Sequence, residues 1–89
     1  MSNNLNNRNY YNAIISDMEI YASNEFFGSS KLLSINIDIE TLKEDLDENL
    51  FQVKTILKKK SKDILFLKTI LYEDKLIVAQ ASALWSKED

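Results

Sequence analysis

The chain has 89 residues and a formal net charge of −3, with no Cys, no His, no Pro and a single Gly. This length fits one domain, residues 1–89. The acidic balance argues against general nucleic-acid binding, because phosphate backbones attract basic proteins. Without Cys and His there are no thiolate nucleophiles and none of the commonest metal ligands, so we expect no metal site and no bound cofactor. One Gly cannot build a Gly-rich phosphate loop.

The hydropathy pattern predicts a cytoplasmic protein without a membrane span. No apolar run approaches the roughly 20 residues that cross a bilayer. The first four residues, Met1-Ser2-Asn3-Asn4, have neither the basic flank nor the apolar stretch of a secretion signal.

The first predicted element is a helix over about 7–27. Tyr10, Ile14 and Met18 recur at helical spacing, and neighbouring apolar residues widen the stripe. Asn6 or Asn7 is a suitable N-cap, and Gly28 suits the left-handed residue that ends many helices.

Four strands are predicted after the helix, over about 31–39, 50–60, 64–72 and 75–85. The first alternates strictly, with Leu33, Ile35, Ile37 and Ile39 on one face. The second alternates from Phe51 onward, and the third is apolar on both faces. In the last strand Ile77, Ala79, Ala81 and Ala83 share a face that leaves room for a close helix.

These elements predict an α+β domain in which a sheet wraps one helix. The connections 43–49, 59–63 and 73–74 are most simply the turns of an antiparallel meander. The apolar face of the sheet needs a partner, and the helix is the available one. Strands of about ten residues and a helix of about 20 residues both span roughly 30 Å.

This pattern resembles the hotdog fold. The local motifs resemble those of hotdog-fold thioesterases that act on 4-hydroxybenzoyl-CoA or on acyl-ACP. Their central helix opens with His-Val-Asn-Asn-x-x-Tyr, to which residues 4–10, Asn-Leu-Asn-Asn-Arg-Asn-Tyr, correspond except for Asn4 at the His position. Ala22-Ser23-Asn24 with Ile37-Asp38-Ile39, and residues 74–81, resemble further segments of such enzymes. The first strand and the catalytic loop that precede the helix in the family have no counterpart here.

The resemblance implies a catalytic carboxylate on the helix, at Ser16 or Asp17 depending on the register. Asp17 would be a general base that orients water on a thioester carbonyl. The competing interpretation is a solvated helix residue near Glu19.

Asn6, Asn7 and Tyr10 are the predicted substrate-binding residues. Amide or backbone N–H groups at a helix N-terminus can hold a thioester carbonyl, although capping needs no ligand. Tyr10 and the other aromatic residues would line an acyl tunnel or simply form the core. Lys58 to Lys62 would bind coenzyme A phosphates or form a solvated hairpin tip.

The sequence therefore predicts a thioesterase-like protein that hydrolyses or binds acyl-CoA or acyl-ACP thioesters, and leaves open whether it is an enzyme. The alternatives are a non-catalytic hotdog binding or assembly module and an unrelated small interaction protein. A missing first strand would leave a sheet edge and a helix flank open, so we expect a homodimer or larger homo-oligomer to bury them.

Overall fold

The computed structural model describes the backbone of residues 2–41 and 51–88, and the side chains of those ranges from residue 10 onward. Its element order is α1 (Ser2–Phe26), β1 (Ser30–Ile39), β2 (Phe51–Lys60), β3 (Ile64–Glu73) and β4 (Leu76–Lys87). One helix packs on a four-stranded antiparallel sheet. The predicted α+β class is confirmed, and the arrangement is consistent with a hotdog-like architecture.

The strand order in the sheet is β1-β4-β3-β2, so the prediction of a sequential meander was wrong for β1. The last three strands do form consecutive hairpins, but β1 pairs with β4 instead of β2. The connection after β1 is longer than a hairpin turn, and crossing three strand spacings requires about 14 Å. Its beginning is anchored where the amides of Glu40 and Thr41 donate to the Val78 carbonyl. Residues 42–50, which include the predicted charged connection, lie outside the described residues.

The core lies between the helix and the inner face of the sheet. Every fourth helix residue is buried: Tyr10, Ile14, Met18, Ala22 and Phe26. Opposite them, β3 and β4 supply the buried side chains of Leu65, Leu67, Leu71, Ala79, Ala81, Ala83 and Trp85. Burying a large apolar side chain stabilises the fold by about 1.5–3 kcal/mol, so this cluster holds the helix on the sheet.

Register shifts in three strands change which residues face the core. In β1 the shift between Leu32 and Ser34 pairs Leu32 with Trp85. Leu32 therefore packs on the core, while Leu33 is 48% exposed, which corrects its predicted inward position. In β4 the shift pairs Ile77 with Tyr72, so Ile77 does not share the face of the alanines. An extra residue in one strand reverses the alternation beyond it, and local periodicity does not reveal it.

Both ends of the helix differ from the prediction. The helix begins at Ser2, so Asn6 and Asn7 are inside it and do not cap its start. It ends at Phe26, and Phe27, not Gly28, has the positive φ of 56°. The Gly28 amide donates to the Ser23 carbonyl at 3.1 Å, as in a Schellman motif with Phe27 at the left-handed position.

Candidate functional site

Asp17 is held by a hydroxyl from the sheet. It lies on the side of α1 that faces β2 and is half-buried. The Thr55 hydroxyl donates to Asp17 Oδ2 at 2.6 Å, and Thr55 Oγ1 lies 2.6 Å from Thr69 Oγ1. Asp17 therefore combines partial exposure to solvent with a hydrogen bond to the sheet.

The order of protons in this network follows from the donors present. A hydroxyl has one proton, and Thr55 uses it for the Asp17 carboxylate. The bond between the two threonines must then have Thr69 as its donor. The result is a relay from Thr69, which is fully buried, through Thr55 to Asp17. Hydrogen bonds aligned in this way polarise one another, so the relay fixes the carboxylate on the helix.

The second carboxylate oxygen of Asp17, Oδ1, has no partner among the described residues. Among residues 10–41 and 51–88, no hydrogen bond or ion pair engages Asp17 Oδ1. A half-buried carboxylate with one oxygen anchored and one available can orient a water molecule, which is the geometry that a general base needs.

The predicted substrate-binding residues do not meet Asp17 within one chain. Asn7 and Asp17 are ten residues apart on a continuous helix, which corresponds to about 15 Å along its axis. Tyr10 is 1% exposed and belongs to the core, so its side chain does not form an open tunnel wall. The side chains of Asn6 and Asn7 are not among those that the structure describes.

Lys59 and Lys60, in the predicted phosphate-binding run 58–62, lie on opposite faces of the sheet. A register shift in β2 between Leu57 and Lys59 pairs Lys59 with Phe66 and Lys60 with Leu65. Lys60 Nζ lies 3.3 Å from Glu25 Oε2 of the helix. Both side chains are partly exposed, so this ion pair contributes little, at most about 1 kcal/mol.

Sequence analysis missed Thr55 and Thr69. A signal for them was present, because each is a polar residue flanked at the neighbouring inward positions by apolar ones: Val53 and Leu57 for Thr55, Leu67 and Leu71 for Thr69. They are direct cross-strand partners in the β2–β3 hairpin, and paired threonines commonly hydrogen-bond. What the sequence could not supply was the register that places Asp17 above them.

A cavity of about 550 Å³ lies on the opposite face of the sheet from Asp17. Its lining residues are Ser34, Lys59, Ser61, Ile64, Phe66, Ser82, Ala83 and Leu84. None of Asp17, Thr55 and Thr69 borders it. Within one chain, the sheet therefore lies between the candidate carboxylate and this cavity.

Two further features bear on the chemistry of the described part of the chain. No group of three or more His, Cys, Asp or Glu residues within it is placed to hold a metal ion. No helix within it is both long enough and apolar enough to cross a membrane.

Comparison with known proteins supports the fold alone. No protein-family model matches the chain, and no curated protein is significantly similar to it. Among solved structures, the crystal structure of a hypothetical protein from Aquifex aeolicus matches with a TM-score of 0.63. The match has 20% sequence identity and covers 97% of this chain and 80% of the other. At this identity the likeness extends to the architecture and carries no activity.

Proposed function

We propose that this protein binds and hydrolyses acyl thioesters of coenzyme A or acyl carrier protein, with Asp17 as the general base. The observation that supports the proposal is the anchored carboxylate: Thr55 holds Asp17 Oδ2 at 2.6 Å, and the other oxygen is available to a water molecule. Asp17 is also one of the two positions, with Ser16, at which the resemblance to hotdog thioesterases implies a catalytic carboxylate.

In this proposal the water bound at Asp17 attacks the thioester carbonyl. The carboxylate accepts the proton of the water as the carbon–oxygen bond forms. The carbonyl oxygen then carries negative charge, which the side-chain amide N–H groups of Asn6 and Asn7 would stabilise. Loss of the thiol completes the reaction, and the proton passes to the leaving sulfur.

The distance along the helix requires that this site be shared between two chains. Donors near Asn7 lie about 15 Å from Asp17 of the same helix, too far to contact one carbonyl. Asp17 is also above β2, which is an edge strand of the described sheet. A second copy docked at this edge would bring its own helix beside Asp17 and complete the site, as a homodimer.

The test is thiol release from a panel of acyl-CoA thioesters of different chain length. Asp17→Asn is expected to lower kcat/KM by about 10²–10⁴-fold, the usual contribution of a general base. Glu19→Gln is the matched control, because Glu19 is an exposed carboxylate on the same helix. Activity that survives Asp17→Asn would remove Asp17 from the mechanism while leaving the hydrolase proposal in place.

A non-catalytic binding or assembly module is the second candidate. It is favoured by the position of the 550 Å³ cavity, which lies on the face of the sheet that Asp17 does not reach. Saturable binding of acyl-CoA without thiol release, equal in the wild type and in Asp17→Asn, would support this candidate over the enzyme.

A further inference from the structure

Residues that line the cavity on the outer face of the sheet form a row across the four strands. One cross-strand row runs Ser34–Leu84–Phe66–Lys59, from edge to edge of the sheet. The row has a hydroxyl at one end, two apolar side chains in the middle and an ammonium group at the other end. Ile64 extends the apolar floor, and Ser61 and Ser82 add hydroxyls.

Both edge strands carry a register shift next to this row. The shift in β1 lies between Leu32 and Ser34, and the shift in β2 lies between Leu57 and Lys59. Simple alternation from Leu57 would turn Lys59 toward the helix. The extra residue in β2 instead places Lys59 opposite Phe66, on the cavity side. Such bulges re-aim side chains and are frequent next to binding sites.

The cavity is of a size and polarity that suits a small amphipathic ligand. Its volume of about 550 Å³ falls within the range of small-molecule sites, about 300–1,000 Å³. Lys59 makes no ion pair within the described residues, in contrast to Lys60, which pairs with Glu25. Within the described part of the chain, the hydroxyls of Ser34 and Ser82 make no hydrogen bond, so they remain available to a ligand.

Charge at this end of the sheet favours an anion. The β2 end and the hairpin that follows contain Lys58, Lys59, Lys60 and Lys62, against Asp63 in the same segment and Glu25 of the helix, which pairs with Lys60. The protein as a whole has a net charge of −3, so this positive end is a local feature. An unpaired ammonium beside an apolar floor matches a molecule with one anionic head and a short apolar tail.

We propose that this outer-face cavity is a binding site for an amphipathic anion, with Lys59 holding the head group and Leu84, Phe66 and Ile64 contacting the tail. The head group is a carboxylate, as in a medium-chain fatty acid, or a phosphate, as in a monoalkyl phosphate. The site is separate from Asp17 and does not depend on hydrolytic activity.

The test is a titration of ¹⁵N-labelled protein, followed by amide chemical shifts, with octanoate, octyl phosphate and octanol. We expect octanoate or octyl phosphate to shift the amides of Ser34, Phe66 and Leu84, and the stronger ligand to identify the head group. Lys59→Gln is expected to weaken the anions about fivefold, as for an exposed ion pair, and to leave octanol unchanged. The matched control is Lys54→Gln, an exposed lysine of β2 that is opposite Ile70 and does not line the cavity.

A second variant tests the cavity by filling it. Ser34→Trp places a large side chain at an exposed rim position of an edge strand, where an aromatic residue is compatible with the strand. It should abolish the anion-induced shifts, while Asp17→Asn should leave them intact. The proposal is overturned if neither anion shifts these amides, if the shifts cluster around Asp17 instead, or if Lys59→Gln and Lys54→Gln behave alike.

Discussion

At the scale of single residues, the two threonines do more for the candidate site than any group identified from the sequence. Thr69 is fully buried, and within the described residues its hydroxyl donates to the Thr55 oxygen. Thr55 in turn is the donor that fixes Asp17. The three side chains therefore form a unit. Removing the Thr55 hydroxyl from its middle should lower the free energy of unfolding by a different amount from removing the Thr69 hydroxyl at its end.

This asymmetry gives a graded prediction for stability. Thr69→Val removes one neutral hydrogen bond and leaves Thr55 bonded to Asp17, so it should lower the free energy of unfolding by about 1 kcal/mol. Thr55→Val leaves the buried Thr69 hydroxyl without its partner and should cost about 2–3 kcal/mol. Urea denaturation followed by Trp85 fluorescence measures both, since Trp85 is the single Trp and is 1% exposed.

The double variant Thr55→Val/Thr69→Val provides the control for this prediction. Because it contains no orphaned hydroxyl, it should be no less stable than Thr55→Val alone, and the two single effects should not add. Strictly additive losses would show that the hydroxyls do not act as a unit.

At the scale of elements, the alanines of β4 decide how closely the helix approaches the sheet. Ala79, Ala81 and Ala83 are almost fully buried beneath α1. They form the central part of the inner face, between the isoleucines of β1 and the larger side chains of β3. Small residues at these three positions leave room for the helix side chains that pack on the sheet, and we infer that this spacing helps to set the height of Asp17 above Thr55.

Ala81→Leu tests this spacing. Ala81 is 2% exposed and is the cross-strand partner of Thr69, so added methylenes must push the helix away. We expect a loss of about 1–3 kcal/mol in the free energy of unfolding, as for other overpacked cores. Gln80→Leu, the preceding residue on the opposite face, should change stability by less than about 0.5 kcal/mol. Equal losses for the two variants would contradict the proposed role of the alanines.

At the scale of the whole molecule, the described sheet has two edge strands, β1 and β2, and Asp17 lies above one of them. Ile20 is three residues after Asp17, so it is on the same flank of the helix, and it is 62% exposed. An exposed isoleucine beside a half-buried carboxylate and an unpaired strand edge is the surface that the proposed homodimer would cover.

The oligomeric state distinguishes the two edges. If the dimer forms at β2, Ile20→Lys should shift the protein from dimer to monomer in light scattering coupled to size-exclusion chromatography at micromolar concentration. Leu33→Lys is the matched control on β1, where Leu33 is 48% exposed. Dissociation by Leu33→Lys alone would place the interface at β1, and a wild-type monomer would remove the shared site.

The sequence by itself determined the elements of this protein, because helical and strand periodicities are local. Spacing along the chain was enough to predict one helix, four strands and an α+β domain, and a buried stripe through Tyr10, Ile14 and Met18. The resemblance of the helix motifs was enough to single out Asp17 as a candidate.

Only the tertiary structure decided the strand order, the three register shifts and the partners of Asp17. Each of these depends on contacts between residues far apart in the chain: Thr55 is 38 residues from Asp17, and the residue that pairs with Ile39 is Ala79. Periodicity within a strand carries no information about which strand lies beside it. One inserted residue reverses the faces beyond it, and this is how Leu32 replaced Leu33 in the core and how Lys59 reached the outer cavity.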